Sequence, residues 1–509
     1  MIVLFLGVTT GILRSPCTPP PKCCKINKVK FNLTLKEFKE KKEINEIKCI
    51  DVYDCNISFI QKDLFSHFTN LENLYLRNLP LEYEAIKNSL PKSTETSLTR
   101  LCLENVGLTN SQIVDLLSRL PRRITDLGLK KNKITYFSTD DISNATFHHL
   151  EKLDLSYNRN ITFVLNKTTP ALKLTDLYLS YSNVKWTSLG MLPNLIALYL
   201  DGNHFNLSVI DNEQRCFQKL KALDLNNCEL TEPLNKESFS FLPNLQSLSL
   251  SNLSNVKHFP TFQNTRDLRA LNLDDVKYPF YPSPENTGLF VNVQKMKRLR
   301  MRTWNLRGWN ETQLSVLFGP IKDTLETLGL ASTGLTTIPQ VTAEMKNLKR
   351  LCLSNNNIST WSSISERTNK KLTFLNLSWN LIENINPYFI PQNVQDLELD
   401  GNPFLCTCGL MSYKTWVWKK KLYNIMKDWQ TKYYCSTPPE WTGRSLSEFR
   451  PKKSDCRPFN KYVITALVLC CCMVIVVIGT HIVTNKRRQH ELKKHKHGNN
   501  ETKTLLSSQ

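Results

Sequence analysis

Glycine is scarce, 16 in 509 residues. That excludes a collagen-like triple helix, which needs glycine at every third position, and long Gly-rich linkers. Acidic residues are also few beside basic ones, 45 against 66, for a formal net charge of +21. Such a balance favours acidic partners (nucleic acid, glycosaminoglycan, anionic microbial polymers or anionic lipid) and says nothing of fold. Hydrophobic residues make up 41 % and charged ones 22 %, which is globular rather than disordered composition. Catalytic strings are missing: there is no GxSxG, HExxH or phosphate loop, and the nine histidines are scattered. The chain reads as a binding protein rather than an enzyme, with no catalytic residue, no cofactor and no resident metal assigned.

Long apolar runs number only two. Met1–Val8 reads as the core of a secretory signal peptide over residues 1–16, although no basic flank precedes it. Val463–Val483 is 21 residues without Asp, Glu, Lys or Arg. As a helix it would span about 31 Å, the thickness of a hydrocarbon core. Lys486, Arg487 and Arg488 follow directly, then Lys493, Lys494 and Lys496, which places that side in the cytosol. The expectation is a single-pass type I protein of the plasma or endosomal membrane, N-terminus extracellular or lumenal, with a basic tail over 484–509. The tail has no tyrosine, which excludes phosphotyrosine signalling from it, and Glu501, Leu505 and Leu506 spell ExxxLL, similar to acidic dileucine sorting signals.

Thirteen of the sixteen cysteines precede residue 457, in the same region as ten Asn-x-Ser/Thr sequons at Asn32, Asn56, Asn144, Asn160, Asn166, Asn206, Asn252, Asn310, Asn357 and Asn376. Together they point to an oxidising, glycosylating compartment.

That region is filled by a repeat. The string LxxLxLxxNxL recurs, as ITDLGLKKNKI from Ile124 and LKRLCLSNNNI from Leu348. Fifteen strand markers run from Ile50 to Leu397 with a mean step near 25 residues, the leucine-rich-repeat period. Each LxL is a short parallel strand with both leucines inward, and stacked units make a curved solenoid of α/β class with the sheet on its concave face. The Asn two residues on can bond neighbouring turns; it is kept at Asn132, Asn158, Asn203, Asn356, Asn380 and Asn402, and replaced by Cys at Cys55 and Cys228. Seven units, Ser182, Trp304 and Thr333 among their substitutes, lack that group and are expected to be irregular. Phe65, Phe147, Phe217 and Phe239 are placed to fill the convex side.

Solenoid ends need covers. The repeats occupy 47–404. Asn402-Pro403-Phe404 leads into Cys406, Cys408, Cys435 and Cys456, a cysteine-rich cap over 405–457. Four cysteines allow three pairings, and CxC is poor spacing for zinc. An N-terminal cap over 17–46 draws on Cys17, Cys23, Cys24 and Cys49, with pairing open. Cys102 and Cys352 fall on the outward x of LxL and are expected as free thiols.

From Cys17 to Ile482 the repeats, the NPFxCxC string, the cap spacing and the membrane helix that follows resemble the ectodomain and stem of Toll-like receptors. The uneven steps of 21 to 29 residues fit that family better than the small proteoglycans. The resemblance implies a horseshoe with disulfides Cys406–Cys435 and Cys408–Cys456. It also implies innate immune pattern recognition of microbial or anionic ligands, nucleic acid among them, with a receptor partner or homodimer. Toll-like receptors carry a cytoplasmic signalling domain, whereas the tail read here has 26 residues. A co-receptor or decoy is therefore expected rather than an autonomous signaller. The alternative is an adhesion or guidance protein binding a protein partner. Such proteins usually append immunoglobulin or fibronectin domains, and none fits between Cys456 and Val463.

Three sites are candidates for binding. Arg298, Arg300 and Arg302 alternate outward on one strand, flanked by Lys295 and Lys297, with Arg350 two units on; guanidinium groups so placed suit phosphate, sulfate or carboxylate. Tyr157, Tyr178, Tyr181 and Tyr199 are expected to form one outward patch, and tyrosine is a frequent interface anchor. The Pro-rich stretch Tyr278–Phe290 is expected to project as a loop. Glycans on Asn252 and Asn376 would shield the faces on either side of Arg298.

Overall fold

The computed structural model describes residues 15–27, 30–39, 43–91, 96–144, 149–164, 173–188, 192–207, 217–360, 369–386, 390–391, 393–419, 429–451 and 461–504. The signal-peptide core, Asn166, Phe147, Cys456, Leu505 and Leu506 lie outside them, as do the side chains of Asn144 and Glu501.

Sixteen strands form one sheet in chain order. They are β1 (Cys24–Asn27), β2 (Cys49–Tyr53), β3 (Asn73–Arg77), β4 (Arg100–Glu104), β5 (Asp126–Gly128), β6 (Lys152–Asp154), β7 (Asp176–Tyr178) and β8 (Ala197–Tyr199), then β9 (Ala222–Asp224), β10 (Ser247–Ser249), β11 (Ala270–Asn272), β12 (Arg298–Arg300), β13 (Thr327–Gly329), β14 (Arg350–Cys352), β15 (Phe374–Asn376) and β16 (Asp396–Glu398). All pairings are parallel and in step, with Leu74 opposite Leu101 and Leu299 opposite Leu328. The fifteen markers all fall at this register, and β1 is an additional strand supplied by the cap. The cause is the period of two: Leu127 and Leu129 are fully buried while Gly128 between them faces the other side. Each buried leucine contributes about 1.5–3 kcal/mol.

The asparagine ladder forms as the repeat predicts. Asn158 is fully buried. Its Nδ2 donates to the carbonyls of Leu129 and Leu155, and its Oδ1 accepts from the amides of Asn132 and Ile134. At the Cys units the thiol takes over, Cys228 Sγ donating to Leu200 O at 3.2 Å. Three of the seven units expected to be irregular are repaired differently. Ser182 Oγ donates to Leu155 O, Thr333 Oγ1 to Leu330 O and Trp304 Nε1 to Leu273 O. Any donor of suitable reach satisfies a buried carbonyl. Phe65, Phe217 and Phe239 are buried on the convex side.

The stretch Tyr278–Phe290 is packed down at both ends, and only its middle, from Tyr281 to Glu285, stands out toward solvent. Phe280 packs 4.7 Å from the rings of both Trp304 and Trp309, Tyr278 lies against Phe259, and Phe290 is fully buried. The apolar rings outweigh the prolines, which serve a short turn of helix at Pro284–Thr287.

At the N-terminal end Cys23 bonds Cys49, and Cys17 bonds Cys102. Cys102 is therefore no free thiol: its outward position on β4 is where Cys17 comes down onto the concave face. The sulfurs of Cys17 and Cys102 gather with Glu104, but being joined to each other they offer no thiolate to a metal. At the other end Cys406 bonds Cys435 as the resemblance implies, and Cys408 is also disulfide-bonded.

The C-terminal cap also buries a lysine. Lys414 Nζ donates to the carbonyls of Ser447 and Phe449, and burial lowers its pKa to about 8, with Arg450 adding to the effect. A lysine whose folded pKa lies below its unfolded value of about 10.4 destabilises while charged. Cap stability should therefore rise between pH 8 and pH 10. Lys414→Met should abolish that rise and raise the melting temperature at pH 7, as Arg450 also donates to both carbonyls. Melts at pH 7, 9 and 10 measure this.

Beyond the cap runs one helix, Lys461–Thr504. Within it Thr465–Lys493 is long and apolar enough to cross a membrane, with none of its apolar window buried against protein.

Candidate ligand-binding face

The strands present three rows of side chains on the concave face. One row holds the residue before each marker leucine, the next the residue after it, and the third lies two residues further on. Beyond the third row the chain turns through positive φ, at Asn105, Tyr157, Tyr181, Asn252 and Trp379 among others. Those residues mark one lateral edge rather than the floor.

The arginine strand β12 lies in the middle of the C-terminal half. Met296, Leu299 and Met301 point inward as expected. The arginines do not form an uncompensated strip. Arg300 pairs with Asp274, and Arg302 lies 3.6 Å from Asp275. Burial pushes the Asp274 carboxyl up, and the Arg300 cation beside it pulls it part-way back. Arg298 is only 8 % exposed; burial lowers its pKa, with Glu326 opposing. Along the adjoining edge Glu326 is shared by Lys297 and Lys349 at 3.1 and 2.7 Å, and Lys295 meets Asp267.

Arg350 differs. It is exposed on β14, and its guanidinium stands 3.8 Å from the centre of the Phe374 ring on β15. Phe374 is not among the sequence expectations. Both residues nonetheless sit one place before their marker leucines, and that column read down successive repeats brings them side by side.

The tyrosines separate into two stacked pairs. Tyr178 and Tyr199, on neighbouring strands, stack at 4.4 Å and are buried on the floor with Ala197 and Ala222. Tyr157 and Tyr181, at positive φ, stack at 4.9 Å on the lateral edge and are exposed. One patch of four does not form, because the turn carries the second pair out of the floor. Tyr181 lies over Gly202, at φ +69, where any Cβ would strike the ring. Burial and the neighbouring acids raise the titration of both floor tyrosines, and Asp224 beside them is pushed up to about 7 by burial.

Towards the N-terminal end the floor is covered by the chain itself. Ser15 Oγ donates to the buried Asp154 carboxylate, and Pro16 and Cys17 lie over Gly128. A side chain at Gly128 would collide with the Cys17 sulfur. Of the sequons, Asn32, Asn56, Asn160, Asn252, Asn310 and Asn357 are exposed, and Asn206 and Asn376 are half-buried. Asn376 Nδ2 donates to Glu398.

A leucine-rich-repeat family profile matches residues 323–382. The human CD180 antigen is 27 % identical over 404 residues, covering 72 % of this chain and 58 % of that protein. Human Toll-like receptor 2 is 26 % identical over 244 residues, 47 % of this chain and 29 % of the receptor. These are Toll-like-receptor-like leucine-rich repeats. The ectodomain so described also superposes on the crystal structure of a TLR13–ssRNA13 complex with a TM-score of 0.54 at 19 % identity, covering 74 % of this chain and 59 % of that one. The chain spans less than two thirds of the length of these curated relatives.

Proposed function

We propose that the chain is a single-pass innate immune receptor or co-receptor of the plasma or endosomal membrane whose Toll-like-receptor-like ectodomain takes ligand on its concave face around β12–β14. The observation that carries this reading is the concentration of Arg298, Arg300 and Arg302 on and just beyond β12 and of Arg350 on β14, on either side of β13 in an open sheet. Arg300 and Arg302 are held by acids and shape the site; an anionic group on the ligand answers to the exposed Arg350. The exposed pair Tyr157–Tyr181 offers a second surface, on the lateral edge, for a receptor partner or a second copy of the chain. Nucleic acid is the weaker ligand reading. The TLR13 structure contains single-stranded RNA, but Asp274, Asp275 and Glu326 stand among the arginines here and would repel a polyanion.

The test is a chimera of residues 1–483 with a Toll-type signalling domain, displayed in inflammatory-reporter cells and challenged with fractionated microbial material. Activation by a fraction, lost in the triple variant Arg298→Ala, Arg300→Ala, Arg302→Ala, is the expected result. Silence despite good surface display would favour an adhesion protein with a host partner.

A further inference from the structure

Seven cations crowd β12–β14 and their flanks: Lys295, Lys297, Arg298, Arg300, Arg302, Lys349 and Arg350. Four carboxylates take up five of them, through Lys295–Asp267, Lys297 and Lys349 with Glu326, Arg300–Asp274 and Arg302–Asp275. Arg298 is buried. Arg350 alone of the seven is both exposed and without an ion pair among the described residues.

Its position is built rather than incidental. Phe374, its register partner on β15, supplies a flat face that holds the planar guanidinium. Five N–H donors remain in a fixed fork, which suits the two oxygens of one carboxylate or phosphate. The floor beside the fork is low. Thr327 is its register partner on β13, and Gly329, Ala331, Cys352 and Ser354 occupy the next two rows. Arg300 leans over Gly329, its Cγ 3.4 Å from where a Cβ would stand, and walls the β12 side. The side chains between the fork and Arg300 are short, while Asn376 and Glu398 stand in the same row on the β15 side.

The surroundings limit the ligand's charge. Glu326 flanks the seat on the edge, Asp274 and Asp275 lie beyond β12, and Glu398 is close enough to feel the Arg350 charge. A second anionic group, one sugar or nucleotide away, would meet carboxylates rather than free cations.

We infer that Arg350, held flat on Phe374, is the seat for a single oxyanion, a carboxylate or a phosphate monoester, on an otherwise uncharged saccharide ligand. This rests on the concave-face reading above and makes it specific.

The experiment uses the full chain in lipid nanodiscs and titrates glucuronate, glucose 6-phosphate, glucose and a heparin dodecasaccharide by ligand-observed NMR. Glucuronate or glucose 6-phosphate should bind and glucose should not; which acid binds separates carboxylate from phosphate. Arg350→Ala should weaken binding at least tenfold. Arg350→Lys keeps the charge but loses the fork and the stacking, and should weaken it several-fold. Phe374→Leu, a positioning change, should do the same with an unchanged melting temperature. Arg119→Ala, on the outer helix Asn110–Arg119, should bind as wild type. Three results would overturn the seat: no binding of either acid, wild-type affinity in Arg350→Ala, or heparin binding far more tightly with a steep salt dependence. A chimera that answers a microbial fraction equally well with Arg350→Ala overturns the seat alone. A silent chimera whose parent chain still binds the acid through Arg350 overturns the receptor reading alone.

Discussion

Asn158→Ala should cost the ectodomain roughly 2–5 kcal/mol, one of the two largest single effects expected here. The side chain is fully buried, and truncation strands the amides of Asn132 and Ile134, while the Leu129 and Leu155 carbonyls keep bonds from Asn132 Nδ2 and Ser182 Oγ. Each unmet amide lies among buried residues and retains its desolvation penalty. Because every strand pairs only with its neighbours, the damage stays local. Hydrogen exchange should show opening confined to the turns around Leu129–Ile161, alongside a lowered denaturation midpoint. Asn70→Ala, which removes an exposed bond to the Asn45 carbonyl, should stay within about 1 kcal/mol. Equal costs for the two variants would show that the ladder does not hold the turns together.

Cys102→Ser should destabilise the N-terminal third by up to about 4.6 kcal/mol, the loop-closure value for a separation of 85 residues. The second bridge, Cys23–Cys49, would keep β1 on the sheet, so the effect reads out the strap rather than the whole cap. Faster exchange of the amides from Cys17 to Cys24, with a lower melting temperature, is the expected signature. A variant as stable as wild type would mean that Cys17 and Cys102 do not bond in the native protein.

Much of this was legible because the repeat is a one-dimensional code. A leucine at each marker dictates which side chains face inward, so strand register, ladder and convex phenylalanines follow from spacing alone. What spacing does not carry is the identity of the neighbour across a turn. Arg300 meets Asp274 and Arg350 meets Phe374 because successive turns stack in step, and both pairs emerge only when the columns are compared. The two tyrosine pairs part because two of the four residues stand beyond the strand, at positive φ, a backbone choice no side-chain pattern announces. Tyr278 and Phe280 fold inward because Trp304 and Trp309, more than twenty residues later, provide the rings that receive them. Cys17 and Cys102 lie further apart still.

The nearest-neighbour sheet also sets an order of events during synthesis. A turn can dock as soon as it is made, since its template is the turn before it. Cys49 arrives on the second strand and Cys102 on the fourth. The first bridge therefore has its partners in place one turn into the solenoid, and the second must wait for three. Between those moments Cys17 has no bonding partner on the growing chain. Its closure records that the first three turns have stacked correctly before the remaining twelve are committed.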